Sequence, residues 1–164
     1  MEKFLEVIRN QAARSGSVKY QTSIGTVVAI SGMTCTVSRE DLPDLEDVRL
    51  SAIDQSFDDQ ILIYPKIGSQ VLCLVVENEA AETAIVKYTE VEKVIMTISG
   101  AKFEMSGGKF EISNQESSLK KILSEGFDQL KNAIITTPSG PGKFSPADKL
   151  KFNELKEASQ ALLK

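Results

Sequence analysis

Apolar and polar positions alternate over residues 94–114, V-I-M-T-I-S-G-A-K-F-E-M-S-G-G-K-F-E-I-S-N, and one unit recurs within them. Lys102-Phe103-Glu104-Met105-Ser106-Gly107 is followed by Lys109-Phe110-Glu111-Ile112-Ser113-Asn114. Alternation with period two predicts strands with one buried face. Val94, Met96, Ile98, Phe103, Met105, Phe110 and Ile112 are the side chains such strands would bury. Strands this short and this few do not make a core, and an isolated hairpin is marginal in water. Repeated units that cannot bury themselves stack on neighbours. The economical neighbour is another copy of the same chain, so these seven residues are the candidate self-association surface. The bland alternative is an edge hairpin packed on the chain's own barrel.

The barrel is expected upstream. Short apolar runs at 22–30, 33–38, 48–53, 61–64, 70–77 and 83–88 are separated by Gly, Pro and Asp turns. Gly68, after Pro65, marks one of these turns. About six short strands in this spacing predict a small Greek-key barrel of five to six strands. Residues 41–44 read as a loop, and 70–77 as a strand buried on both faces. Ahead of the barrel, Phe4, Leu5, Ile8 and Ala12 recur at helical spacing over residues 2–14. Beyond residue 115 the period turns helical again. Leu119, Ile122, Leu123, Leu130 and Ile134 form one stripe over residues 116–135, then residues 136–142 read as a loop. A second helix starts with Ser145 as N-cap and Pro146 at its first position, with Leu150, Leu155, Ala158 and Leu162 on one side. Two amphipathic helices joined by a short loop predict a hairpin whose apolar face needs a partner. The expected organisation is an N-terminal helix over 1–19, a barrel over 20–92, self-associating strands over 93–114 and a helical hairpin over 115–164. The fold class is mainly β with terminal α.

Charge and composition narrow the chemistry. Residues 21–92 hold four basic and thirteen acidic side chains, for −9, while the chain as a whole is −4. A barrel of that sign repels phosphate backbones, and nucleic-acid binding is not expected even with Tyr20, Phe57, Tyr64 and Tyr88 nearby. The chain has no His, which removes the commonest general base and most transition-metal sites. Gly142-Lys143 is no P-loop, because the glycine required five residues earlier is Thr137. The acidic residues Asp41, Asp44, Glu46, Asp47, Asp58 and Asp59 match no calcium-loop spacing. No catalytic residue, cofactor or metal is expected, and the chain reads as a non-enzyme. Cys35 and Cys73 lie in apolar runs and read as buried free thiols rather than a disulfide. No apolar run reaches the roughly 18 residues of a membrane helix. The start of the chain is too charged for a signal-peptide core, so cytoplasmic synthesis is the expectation.

The order of these parts resembles the baseplate spike family of contractile tailed phages and prophages. That family is the baseplate assembly protein V type, akin to the spikes of type VI secretion and phage-tail-like injection systems. The resemblance covers residues 20–115. It rests on Asp47-Val48-Arg49-Leu50, on residues 64–72 (Y-P-K-I-G-S-Q-V-L), on residues 88–94 (Y-T-E-V-E-K-V) and on the Gly-spaced strands that follow. It implies an OB-fold barrel leading into a homotrimeric β-prism on the tail axis, in a virion baseplate or injection particle. It implies partners in the tail hub, tube and baseplate, a tip protein, and transient contact with the target envelope. In a trimer, Val94, Met96, Ile98, Phe103, Met105, Phe110 and Ile112 meet at a common axis, and Gly100, Gly107 and Gly108 mark corners between prism faces. Long spikes of the family end in a metal-binding tip built on His-x-His, which this chain lacks. Its end is then blunt, capped by another protein, or a docking site. A stand-alone OB-type module binding a peptide or carbohydrate is the alternative function.

Overall fold

The computed structural model describes residue 3 and residues 22–51, 58–76 and 82–164. The helix expected over 2–14 lies outside these, Lys3 apart, as do Tyr20, Ala52, Ile53 and Phe57. The chain forms two compact units, Met1–Gln55 with Tyr64–Val91, and Ser56–Ile63 with Glu92–Lys164. Among the described residues it is mainly β, with two helices near the C-terminus.

The first unit is a closed barrel of five strands. These are β1 (Thr22–Ser31), β2 (Thr34–Arg39), β3 (Leu42–Arg49), β5 (Gln70–Val75) and β6 (Thr83–Tyr88), and β4 (Gln60–Pro65) falls between β3 and β5 in sequence. The order around the barrel is β1-β2-β3-β6-β5, closed by antiparallel pairing of β5 with β1. Only β3 and β6 run parallel, with Arg49 opposite Ala84. Val27, Val37, Val48, Val71 and Cys73 point inward and are 2% exposed or less. Gly25 is needed because β2 crosses at its Cα: a methyl there would stand 2.5 Å from Val37 Cγ1 and 2.6 Å from Ser38 O.

Four expectations change here. Residues 42–44 belong to β3, not to a loop, because the chain reverses tightly at Glu40-Asp41. The strand expected over 48–53 is therefore the end of β3, and it stops at Arg49. β5 buries Val71 and Cys73 while Leu74 stays 37% exposed, so one face is covered rather than two. β4 is not a barrel strand and pairs with β7, although Tyr64 at its end still packs against the barrel core.

Pro65 is buried at the end of β4. The turn after it is tied down by its own backbone: Gly68 N–H donates to Val27 O at 2.8 Å, and Ser69 Oγ donates to Lys66 O at 2.6 Å.

The second unit holds β7 (Val91–Ile98), β8 (Ala101–Ser106) and β9 (Lys109–Ser113), giving a four-stranded sheet in the order β4-β7-β8-β9. Its hairpins β7–β8 and β8–β9 each turn on two residues, Ser99-Gly100 and Gly107-Gly108, all four at positive φ. Two positive φ values in a two-residue loop match the twist of the flanking strands. Gly100, Gly107 and Gly108 thus reverse the chain inside one sheet instead of turning corners between faces.

Helix α1 (Leu119–Asn132) is capped by Ser118, and α2 (Pro146–Leu162) by Ser145, whose hydroxyl accepts from Asp148 N–H at 3.2 Å. Between them residues 134–143 form a second small hairpin, β10 (Ile134–Thr137) with β11 (Gly140–Lys143). Ile134 therefore begins a strand and does not extend the α1 stripe. The β-branched run Ile134-Ile135-Thr136-Thr137 favours the extended backbone that starts at Ala133.

Candidate assembly interface

The register of the sheet decides where its side chains point. Val94 is opposite Met105, Met96 opposite Phe103, and Ile98 opposite Ala101. Phe103 is in turn opposite Ile112, and Met105 opposite Phe110. Directly opposed residues share a face. All seven side chains singled out in the sequence therefore lie on one face. Phe103 and Phe110 stack at 6.2 Å between ring centres. None of the seven is fully buried, and Ile98 is 54% exposed.

The opposite face is ionic. Lys102 Nζ lies 2.8 Å from Glu104 and 3.0 Å from Glu111, and Lys164 Nζ also pairs with Glu104. Glu104 and Glu111 are cross-strand neighbours of like charge, and the two lysines offset their repulsion. Hydrogen bonds from Lys102 and then Lys164 hold the Glu104 carboxyl down at about 2. The Lys102 ammonium is pushed up by the same bond to Glu104 and by that to Glu111.

Lys164 reaches this face because the chain returns to the sheet at its last residues. Leu163 bridges Phe110 as a parallel neighbour, Lys164 N–H donates to Phe110 O at 2.9 Å, and Leu163 is buried. The helical hairpin thus starts beside β9 and comes back to it. Sequence reading missed this latch, since a terminal Leu-Lys pair carries no local signal of strand pairing.

The faces by which the helices meet hold half-buried Leu123, Phe127 and Phe152 together with polar pairs. Lys156 Nζ lies 2.6 Å from Asp128, and Gln160 Nε2 donates to Ser124 Oγ at 3.3 Å. Neither helix has a buried residue, and Ile122, Leu130, Leu155 and Leu162 stay exposed. An open apolar cleft runs from Ala101 and Ile112 on the sheet to Leu119 and Ile122 on α1. The partly exposed sheet face therefore continues onto the first turn of the α1 stripe at Leu119 and Ile122.

Cys35 and Cys73 are buried free thiols, and burial pushes them up to about 12 and about 11. Among the described residues no three Cys, Asp or Glu side chains gather as metal ligands, and no helix is long and apolar enough to cross a membrane. Comparison with known protein families and with curated proteins finds no match.

Proposed function

We propose that this chain is a structural, non-enzymatic subunit: a homotrimeric spike or hub component of a contractile tail or injection baseplate. It closes the tube and helps to breach the target envelope. The observation that carries the reading is the sheet face on which Val94, Met96, Ile98, Phe103, Met105, Phe110 and Ile112 gather, four of them half-buried and Ile98, Met105 and Ile112 exposed. Three copies would turn those faces toward one axis. Each apolar side chain so buried contributes roughly 1.5–3 kcal/mol, in every copy.

The barrel supports the same reading. A five-stranded barrel that closes β5 on β1 and runs β3 parallel to β6 has the connectivity expected of an OB-fold. A strand-turn-strand rod after such a barrel matches the order of parts in the spike family. Short two-residue turns leave such a rod no hinge, which suits a part that transmits axial force.

Absolute mass in dilute solution tests the reading. A particle of three 17.9 kDa chains, stable on dilution, is expected. A monomer overturns it and turns attention to a stand-alone binding barrel. Three copies per particle on the axis of purified tails, seen by cryo-microscopy, would separate a spike from any other trimer.

A further inference from the structure

The helix pair carries two apolar faces on opposite sides, and this limits how copies can meet. At about 100° per residue, Ile122, Gly126 and Leu130 lie roughly 180° around α1 from Ser124 and Asp128, which face α2. Leu155, Ala158 and Leu162 lie roughly 150° around α2 from Lys156 and Gln160, which face α1. A two-fold contact uses the same patch on both copies, so it covers one of these faces and leaves the other in water. A head-to-tail contact that closes into a ring covers both.

We infer that α1 of one copy seats on α2 of the next, so that three hairpins close a six-helix ring continuous with the sheet interface. The inference rests on the trimeric reading above and extends it to residues outside the strands. The heights agree. Within a chain, Asp128 is level with Lys156 and Ser124 with Gln160. Stepping along the antiparallel pair puts Ile122 level with Leu162, Gly126 with Ala158, and Leu130 beside Leu155. Rotation about an axis along the helices keeps those levels. Large residues then meet large ones above and below, and the two small residues meet in the middle.

Gly126 is otherwise unexplained. Glycine inside a helix is disfavoured by about 1 kcal/mol relative to alanine. Among the described residues, nothing outside its own stretch of helix lies within 4 Å of the place its Cβ would occupy. Close approach of a neighbouring helix at Ala158 gives it a reason. The cleft that joins Ala101 and Ile112 to Leu119 and Ile122 supplies the continuity: a copy that covers the sheet face also reaches α1.

The test is disulfide trapping in the full-length chain, whose own thiols are buried. The double variant Ile122→Cys with Leu162→Cys should oxidise to a ladder of covalent dimer and trimer. Either single variant should give none. Dimers from a single variant would mean a two-fold contact and overturn the ring. So would a trimeric wild type whose double variant stays uncross-linked, or links only within one chain. A monomeric wild type fails the trimeric reading itself, which the mass measurement shows separately. Gly126→Ala gives a second readout by opposite signs. It should raise helicity in the dissociated chain yet raise the dissociation constant of the assembly about tenfold. An unchanged or lower dissociation constant would count against close approach.

Discussion

Val27, Val37 and Val48 in the barrel have no exposed surface, whereas Ile98, Met105 and Ile112 on the second sheet keep between 40% and 54% of theirs. Both sets lie on strands of similar length. The difference is closure. The barrel curls so that its five inner faces bury one another, which removes edges as well as apolar surface. The sheet of β4, β7, β8 and β9 stays open, and the helices that follow it leave Ile122, Leu130, Leu155 and Leu162 exposed. One unit completes its core within one chain, and the other keeps apolar surface that the proposed trimer would cover. The barrel does leave Ile24, Leu74 and Val86 exposed, but it has a full interior behind them.

The sharpest way to break this comparison is to put a charge on the open face. Phe103→Asp buries an unpaired carboxylate once per copy, at a cost of about 3–5 kcal/mol each. The assembly should fall to monomers, while amide exchange at Val37 and Val71 stays slow because the barrel does not depend on it. A variant that remains trimeric would remove Phe103 from the interface, and loss of protection in the barrel would erase the distinction between the units. The mirror experiment is Gly25→Ala. The added methyl meets Val37 and the Ser38 carbonyl. It should cost about 1–3 kcal/mol in urea denaturation of the barrel and leave the mass unchanged.

Acid should act on the second unit through its latch. The folded Glu104 carboxyl sits at about 2, below its ordinary value of 4.5. A depressed carboxyl contributes its stability above the ordinary value and loses it as pH falls toward the folded one. Roughly 2 kcal/mol should therefore disappear between about pH 5 and pH 2, read as loss of amide protection at Lys164. Glu104→Gln should flatten that profile. Persistence of the profile in the variant would assign it to another carboxylate. The smallest expected effect is on the thiols. Cys35 and Cys73, raised by burial, should stay unreactive toward a thiol reagent at pH 8 even in dissociated Phe103→Asp. Rapid labelling there would mean that the barrel opens when the assembly does.

The local signals in the chain were strong where one residue decides the outcome. Period-two alternation gave the seven residues of the sheet face, and Ser145-Pro146 gave the start of α2, because a strand face and a cap depend only on near neighbours. The turn glycines were legible as turns for the same reason, but not which strands they join. Long-range pairing lay beyond reach. β4 reads like any barrel strand, and only its pairing with β7 moves it to the other sheet. Ile134 fits a helical stripe until the hairpin with β11 claims it. Leu163 and Lys164 become an edge pair only because the helix pair returns the chain to β9.

The sequence by itself determined that there are two kinds of apolar surface here, alternating strands and helical stripes. Tertiary structure decided which faces stay open. Backbone pairing aligned the seven side chains, and the Lys156–Asp128 and Gln160–Ser124 contacts turned the apolar sides of the helices outward. Those choices depend on contacts between residues tens of positions apart, where periodicity along the chain carries no information.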